Sequence, residues 1–347
     1  MARNQRIFYA CQAVAIVRTG DTSIDAAKQI VKGLQSVGMS STFTLDQVFE
    51  MGQIEIYENV EQVADIEVTL EKVIDGEALI YTLATIDNAG TAASCRTDLV
   101  AASKEKCDVY VAIYDDGLSH ATGTPRNVCM NSGMYVSSVS YSYSVDGSAT
   151  ESVTLAGNDR FWNTTTAGVI GTSPATNYGS PSTGFNGADS AASGVVRKVN
   201  VDLSASTLPA VVKSQGGDIS TADNNFHVQS ITVSTDFGQE NIEELGRFGP
   251  YARYATFPIE VTAEFEVIAT SGDLIDVSGT APNLSDNDIV IKDTAGTVLN
   301  LGSGGAGKNK LTSVSYSGGD TGGGNATVTY SFSNFNVLTV HDSFDLS

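Results

Sequence analysis

The chain has 347 residues with 40 acidic side chains against 19 basic ones, and a formal net charge of −21 disfavours binding to nucleic acid or to an anionic membrane. Its length suits two domains of ordinary size, and a hydrophobic fraction of 41% is enough for real cores. Abundant Gly, only 7 Pro and short runs of Val, Ile and Thr are the vocabulary of a mainly β protein, and no segment is apolar for long enough to span a bilayer.

The opening "MARNQRIFYACQAVAIVRTG" (1–20) sets two arginines before an apolar run, the outline of a signal peptide. The run is short, interrupted by Gln12 and without a small-residue cleavage site, so it reads as a strand and the expected setting is a reducing cytoplasm. The four cysteines (Cys11, Cys95, Cys107, Cys129) lack paired spacing and the three histidines are scattered, so packing is expected of them and metal binding is not. "DTSIDAAKQIVKGLQ" (21–35) reads as a helix, with Asp21, Thr22 and Ser23 as caps, Ala27, Ile30 and Leu34 at helical spacing and Gly33 near its exit. "TLDQVFEMG" (44–52) and, in the second half, "GQENIEELG" (238–246) each read as a short helix or turn ended by glycine. "IEVTLEKV" (66–73) alternates strictly, Ile66, Val68 and Leu70 on one face, Glu67, Thr69 and Glu71 on the other. "CDVYVAIYDDG" (107–117) is a strand running into a turn, and "SSVSYSYSVDGSATESVTL" (137–155) is a hairpin.

The second half repeats this order. "VQSITVSTDFGQENIEELG" (228–246) matches "LQSVGMSSTFTLDQVFEMG" (34–52) at six of nineteen positions without a gap, 194 residues apart. Tyr57 and Tyr251 each follow the closing Gly52 and Gly246 by five positions. "IEVTAEFEV" (259–267) sets Ile259, Val261, Ala263, Phe265 and Val267 against Glu260, Thr262, Glu264 and Glu266. "NDIVIKDTAG" (287–296) and "TSVSYSGGDTGGGNATVTYSF" (312–332) echo the later strand and hairpin. The reading is a tandem duplication: a first module over 1–162, a Gly/Ser-rich insertion or linker over 163–225 in which "VVRKVNVDL" (195–203) supplies a possible strand, and a second module over 226–347.

Several motifs tempt and fail. "GSGGAGK" (302–308) has phosphate-loop spacing, but Asn309 replaces the required hydroxyl and a strand, not a helix, is expected to follow. The acidic tracts "SGDLIDVSG" and "NLSDNDIVIKD" lack the ligand order of a calcium loop and read as solvated turns. There is no GxSxG, HExxH or Cys/His cluster, so no enzyme and no cofactor is expected. A duplicated acidic β module without catalytic groups points to assembly, because a closed ring disposes of sheet edges.

Three stretches carry a family resemblance: "FTLDQVFEMGQIEIYENVEQVADIEVTLEKVIDG" (43–76), "YSVDGSATESVTLAGNDRFW" (143–162) and "ENIEELGRFGPYARYATFPIEVTAEFEVIATSGD" (240–273). They are similar to tail tube proteins of tailed bacteriophages; residues 163–225 have no counterpart in that resemblance. It implies two tandem β-sandwich modules, each with a short helix, whose inner sheets join those of neighbouring chains in a multi-chain β-barrel ring. Rings of three two-module chains, preferred over six single ones, would stack into a hollow conduit for genome ejection. The partners implied are the chain itself, other tail proteins (terminator, baseplate or tip, tape measure, and a sheath where the tail contracts) and DNA passing through unbound, in a virion assembled in the host cytoplasm. On this reading Glu67, Thr69, Glu71, Glu260, Thr262, Glu264 and Glu266 face the lumen. Glu50, Gly52, Tyr57, Glu244, Gly246, Arg247, Tyr251, Arg253 and Tyr254 are candidates for contacts between modules or rings, with Arg247, Arg253 and Tyr254, present in one copy only, expected to pair with acidic groups of a neighbour. A head–tail joining or capsid decoration protein and a secreted β-sandwich adhesion or glycan-binding module are the alternatives that composition leaves open.

Overall fold

The computed structural model describes residues 6–19, 29–85, 96–118, 125–163, 194–215, 226–275 and 286–342, apart from positions 306, 320 and 322. The first half contains β1 (Gln12–Arg18), β2 (Leu34–Thr42), β3 (Leu45–Phe49), β4 (Ile56–Glu61), β5 (Asp65–Val73), β6 (Arg96–Asp98), β7 (Cys107–Ile113), β8 (Asn127–Ser144), β9 (Thr150–Gly157) and β10 (Asp159–Asn163). The second contains β11 (Val228–Asp236), β12 (Gln239–Ile242), β13 (Ala252–Ala255), β14 (Glu260–Ile268), β15 (Val290–Lys292), β16 (Val298–Asn300), β17 (Lys310–Ser317), β18 (Thr327–Phe335) and β19 (Thr339–His341). The described helices are single turns: α1 (Ile80–Ala84), α2 (Leu99–Ala102) and α3 (Ala210–Ser214). The protein is mainly β, as its composition requires.

Eight strands form one path in the order β17-β18-β14-β11-β8-β9-β5-β2. This is the same four-strand unit written twice. In each unit a hairpin (β8–β9 or β17–β18) is followed by the alternating strand (β5 or β14) and then the strand that opens the repeat (β2 or β11). All neighbours are antiparallel, so each residue's face is fixed by register. The registers coincide as well as the order. Ser36 sits opposite Glu71, Ser230 opposite Glu266, and both ladders carry a bulge two residues earlier. Val139 opposes Val153 where Val314 opposes Tyr330, again after matching bulges. Even the entry is repeated: Gly33 (φ +71°) and His227 (φ +51°) are both left-handed, and their carbonyls accept the N–H of Val73 and of Ile268.

The alternation expected of residues 66–73 and 259–267 is realised. Ile66, Val68 and Leu70, and in the second unit Val261, Ala263, Phe265 and Val267, are fully or almost fully buried. Their face of the sheet packs on two lesser layers. Under the first unit lie α1 and the layer of β1, β7, β10 and the start of β8; β8 is long enough to serve both layers, turning at Gly133 (φ +64°), whose N–H donates to Asp108. Under the second lies the four-stranded sheet β15-β16-β19-β6, whose Ile291, Leu299 and Val340 are buried. Because β6 comes from the first half, the halves interlock: β6 pairs with β19, and Asp342 accepts from Leu79 N–H and Thr82 Oγ1. Most of the buried apolar residues form one continuous core.

Three local expectations are corrected. The helix expected over 21–35 fails in its described part, since Ile30 bridges to Ala15 and Leu34 begins β2; residues 21–28, with the expected caps and Ala27, lie outside the described residues. Helical spacing of Ile30 and Leu34 also fits a turn feeding a strand, and Gly33 supplies that turn. "TLDQVFEMG" and "GQENIEELG" are not helices either: β3 pairs with β4 and β12 with β13, as two hairpins with Gly52 and Gly246 at positive φ between the paired strands. Nor is "VVRKVNVDL" a strand. It makes a 3-10 turn at Lys198–Asn200 flanked by isolated bridges from Arg197 to Ser148 and from Val201 to Asp293. Of the expected insertion, residues 164–193 and 216–225 lie outside the described residues, and 204–215 contain α3.

Candidate functional site

The face of the main sheet opposite the core is built from short hydroxyls and carboxylates. Glu67, Glu260 and Glu264 are exposed, and Thr69, Glu71, Thr262 and Glu266 are half-buried among their neighbours. Cross-strand serines and threonines hold the carboxylates: Ser230 Oγ donates to Glu266 at 3.2 Å, Ser331 Oγ to Glu264 at 3.1 Å and Ser36 Oγ to Glu71 at 3.4 Å. Ser140, Ser152, Ser234 and Thr262 continue the row across the junction of the two units. The seven residues singled out for an acidic face therefore share one surface, a broad wall in which carboxylates predominate, with Lys310 at its β17 edge and an open depression lined by Ser140, Ser234, Glu260 and Thr262.

The two hairpins leave the sheet at its β2 and β11 strands, and most of their candidate residues are exposed. The Glu50 backbone carbonyl accepts from Gln53 N–H in the first turn, with Gly52 beside it and Tyr57 on β4. The Glu244 backbone carbonyl accepts from Arg247 N–H in the second, Gly246 lies between them, and the Arg247 guanidinium stands 5.7 Å from the centre of the Tyr251 ring. Tyr254 is exposed on β13. Each hairpin carries apolar side chains in solvent: Phe49, Met51 and Ile54 on the first, Leu245 and Phe248 on the second. Clustering of this kind on a small projecting element is the mark of a surface that another protein covers.

Arg253 is the exception. Expected to meet a neighbour's acid, it is buried and meets Asp65 of the same chain at 3.2 Å, with Asn158 Oδ1 at 3.0 Å and the Gly157 carbonyl also within reach. The acid does belong to the other module. Arg253 thus ties the second hairpin across the end of the first unit.

One group of charges was missed from the sequence. Lys72 and Glu151 are fully buried and directly opposite each other on β5 and β9. Lys72 Nζ lies 3.3 Å from Asp75 and donates to the Ala78 carbonyl at 2.8 Å. Glu151 accepts from the Ile80 and Tyr81 amides that open α1, and from Tyr141 Oη at 3.1 Å. Burial pushes the Glu151 carboxyl above its ordinary range, against the opposing pull of Lys72 and those amides, and pushes the Tyr141 hydroxyl up as well. The signal was there to read, because Lys72 continues the dry positions 66, 68 and 70, and Glu151 precedes Val153 and Leu155 at spacing two.

The glycine loop that imitates a phosphate site is occupied by its own chain. Gly305 and Gly307 amides both donate to Asp288 at 2.7 Å, and β17 follows directly, as a strand. Cys11, Cys107 and Cys129 are buried, free thiols that pack in the core; burial pushes Cys129 up to about 11 and Cys107 further, so these two carry no thiolate at neutral pH. Cys95 lies outside the described residues. Among the described residues no His/Cys/Asp/Glu cluster of metal-binding form occurs, and no helix is long and apolar enough to cross a membrane.

The described residues thus show a four-strand unit twice over, a broad acidic face, two apolar hairpins and two edge strands, β2 and β17, that no described strand covers. Residues 12–82 match the family described as Phi812 tail tube protein, so from β1 to α1 the chain is similar to phage tail tube proteins. That span contains the first hairpin and the first acidic strand; the second copies are tied to it by the internal repeat. Solved structures with similarity include the tube-terminating cap of the anti-feeding prophage (13% identity over 48% of this chain and 95% of that one, TM-score 0.33). Another is the sheath–tube complex of an extracellular contractile injection system (12% identity, 47% and 94%, TM-score 0.32). A search of curated proteins gives no match.

Proposed function

We propose that the chain is the structural subunit of a phage tail tube, three chains making a ring of six modules and stacked rings making the conduit. The observation that carries this is the tandem sheet itself. Two four-strand units already stand side by side in one order and one set of registers, and the path ends in two open strands, β2 and β17. A unit that repeats once by an antiparallel junction can repeat again by the same junction, and closure removes both edges. The protein acts as a non-enzymatic element of the virion tail, with itself and other tail proteins as partners.

In this reading the Glu67, Thr69, Glu71, Glu260, Thr262, Glu264 and Glu266 face lines the lumen. Like charge keeps DNA off the wall, so the genome slides without sticking. The hairpins carrying Glu50, Gly52, Tyr57, Glu244, Gly246, Arg247, Tyr251 and Tyr254 reach the adjacent ring, where their apolar tips lose water. Residues 1–162 and 226–347 act as the two ring positions, and 163–225 as the connection.

Electron microscopy of the purified chain, with mass measurement of dissociated rings, tests this. Hollow tubes whose ring mass is three times the 36.2 kDa chain are expected. Isolated monomers at high concentration, or solid fibres without a channel, would falsify it. The lumen assignment has its own test: tubes of a Glu67→Lys/Glu71→Lys/Glu264→Lys variant should retain added DNA, which wild-type tubes should release.

A further inference from the structure

The junction between the two units within one chain is a template for the junction between chains. Inside the chain β11 pairs with β8, with Val233 opposite Tyr141 and Ser234 opposite Ser140. Immediately after β11, Phe237 N–H donates to the Ser137 carbonyl, and its ring lies 6.1 Å from that of Tyr81 in the first unit's core. The repeat assigns each of these residues a counterpart on a free edge. Val233 and Ser234 correspond to Met39 and Ser40 of β2; Ser140 and Tyr141 correspond to Ser315 and Tyr316 of β17; Phe237 corresponds to Phe43.

The counterparts differ in burial as a missing partner would dictate. Phe237 is 1% exposed and Phe43 73%, while Tyr141 is 0% exposed and Tyr316 53%. Solitary sheet edges are ordinarily guarded by charge or proline. Here β2 (LQSVGMSST) has neither, and β17 (KLTSVSYS) has only Lys310 at its start. The Arg160 guanidinium touches β2 at the Ser40 carbonyl and Ser41 Oγ, but no described strand covers either edge; an edge pair of similar length, each already bulged as its internal counterpart is, fits another copy of the same sheet.

We propose that β2 of one chain pairs antiparallel with β17 of a second copy, with Met39 opposite Tyr316 and Ser40 opposite Ser315, and that Phe43 is the anchor that enters the neighbour. The inference rests on the ring reading and adds its seam. It also makes the seams chemically unequal. At the internal seam Arg253 reaches Asp65 and Asn158; at the chain-to-chain seam the corresponding residues are Asn59, Glu260 and Phe335, and Phe335 is 55% exposed in the single chain. A ring of six modules is then threefold in its chemistry, seams with an Arg–Asp pair alternating with seams that lack the cation and carry Phe335 instead. That alternation stops the second module of one chain from replacing the first.

The test is a cysteine pair at Ser40→Cys and Ser315→Cys, both on the polar face, where the change leaves the core untouched. Within one chain the two sit at opposite ends of the eight-strand path, so a disulfide reports contact between copies. Mild oxidation of assembled protein is expected to give a covalent ladder ending at three chains. The offset pair Ser40→Cys with Ser317→Cys, and each single variant, should give little. Phe43→Ser is expected to keep the monomer's thermal transition and to abolish rings. Rings in the micrographs with no 40–315 disulfide, or equal cross-linking by the offset pair, would overturn the seam and leave the tube reading standing. Wild-type assembly by Phe43→Ser would overturn the anchor. Monomers alone, with no rings under any condition, would remove both the seam and the reading beneath it.

Discussion

The two modules share a sheet down to its bulges and differ in what lies beneath it. At the position where the first module buries Lys72 opposite Glu151, the second buries Val267 opposite Val328. The apolar pair is the simpler solution, since taking two charges out of water costs more than their attraction reliably returns. What the charges add is specific: Glu151 accepts from two amides of α1 and from the Tyr141 hydroxyl, and Lys72 donates to the Glu77 and Ala78 carbonyls and pairs with Asp75. The pattern of a sheet face can be copied by duplication while its underside diverges, because the face is set by period two and the underside by whichever segment packs against it.

The largest expected effect breaks that contrast. Lys72→Val, which copies the second module, leaves Glu151 and Asp75 buried without their cation and should destabilise the chain by about 3–5 kcal/mol, the usual loss on breaking a buried pair. Adding Glu151→Val removes the stranded carboxylate but also the cap on α1. The double variant should therefore be more stable than the sum of the single losses implies, by roughly 1–3 kcal/mol. Urea unfolding of the four proteins checks this; strict additivity would show that the two charges do not act as a unit.

Next in size is the comparison of the seams. Arg253→Ala removes bonds from a buried guanidinium to Asn158 and Gly157, and should cost about 1–3 kcal/mol with faster hydrogen exchange along β11. The bridge to Asp65 adds little to that figure, because Asp65 is largely exposed and screened. Asn59→Ala, at the corresponding position of the first hairpin, should change monomer stability by less than about 0.5 kcal/mol. Equal effects at the two positions would contradict the unequal seams.

A third prediction concerns pH. The Glu151 carboxyl is raised in the folded chain, so the fold holds its proton more tightly than the unfolded chain does. Its contribution to stability is fully present below the ordinary carboxylate value, about 4.3, and declines as pH rises from there through the raised value. Glu151→Gln removes that slope. The stability gap between wild type and variant should therefore be widest in acid and narrow toward neutral pH; a gap that widens with pH would contradict the burial-driven shift.

How much of this was open to the sequence follows from the same comparison. Period-two alternation made β5 and β14 legible, and the repeated segment made β2 and β11 legible as a pair, because both signals are local. Residues 44–52 and 238–246, the first arms of the two hairpins, were read as short helices or turns, because exposed strands with apolar tips have no dry face to reveal a period. The helix expected at 21–35 misread Ile30 and Leu34, which match helical spacing by coincidence and are placed by a bridge to β1 and by β2. Lys72 and Glu151 were passed over because charge was taken to mark the wet face, although both stand in dry positions. Phe43 and Phe237 were aligned in the repeat, but only burial distinguishes the one with a partner from the one without.

The smallest expected effect lies in the second module and has the opposite pH sign. Asp288 is half-buried, and the Gly305 and Gly307 amides hold its carboxyl below the ordinary range. Its contribution is present above the ordinary aspartate value and is lost as pH falls through the lowered one, the mirror of Glu151. Asp288→Asn keeps one acceptor for two amides, so a slight drop in thermal midpoint is expected at neutral pH and none in acid. Because the wild-type carboxylate already fills the glycine loop, inorganic phosphate and ATP should leave the midpoint unchanged. A phosphate-dependent rise in the wild-type protein would mean that the loop opens to take an anion, and Asp288 would then be a gate in place of a tie.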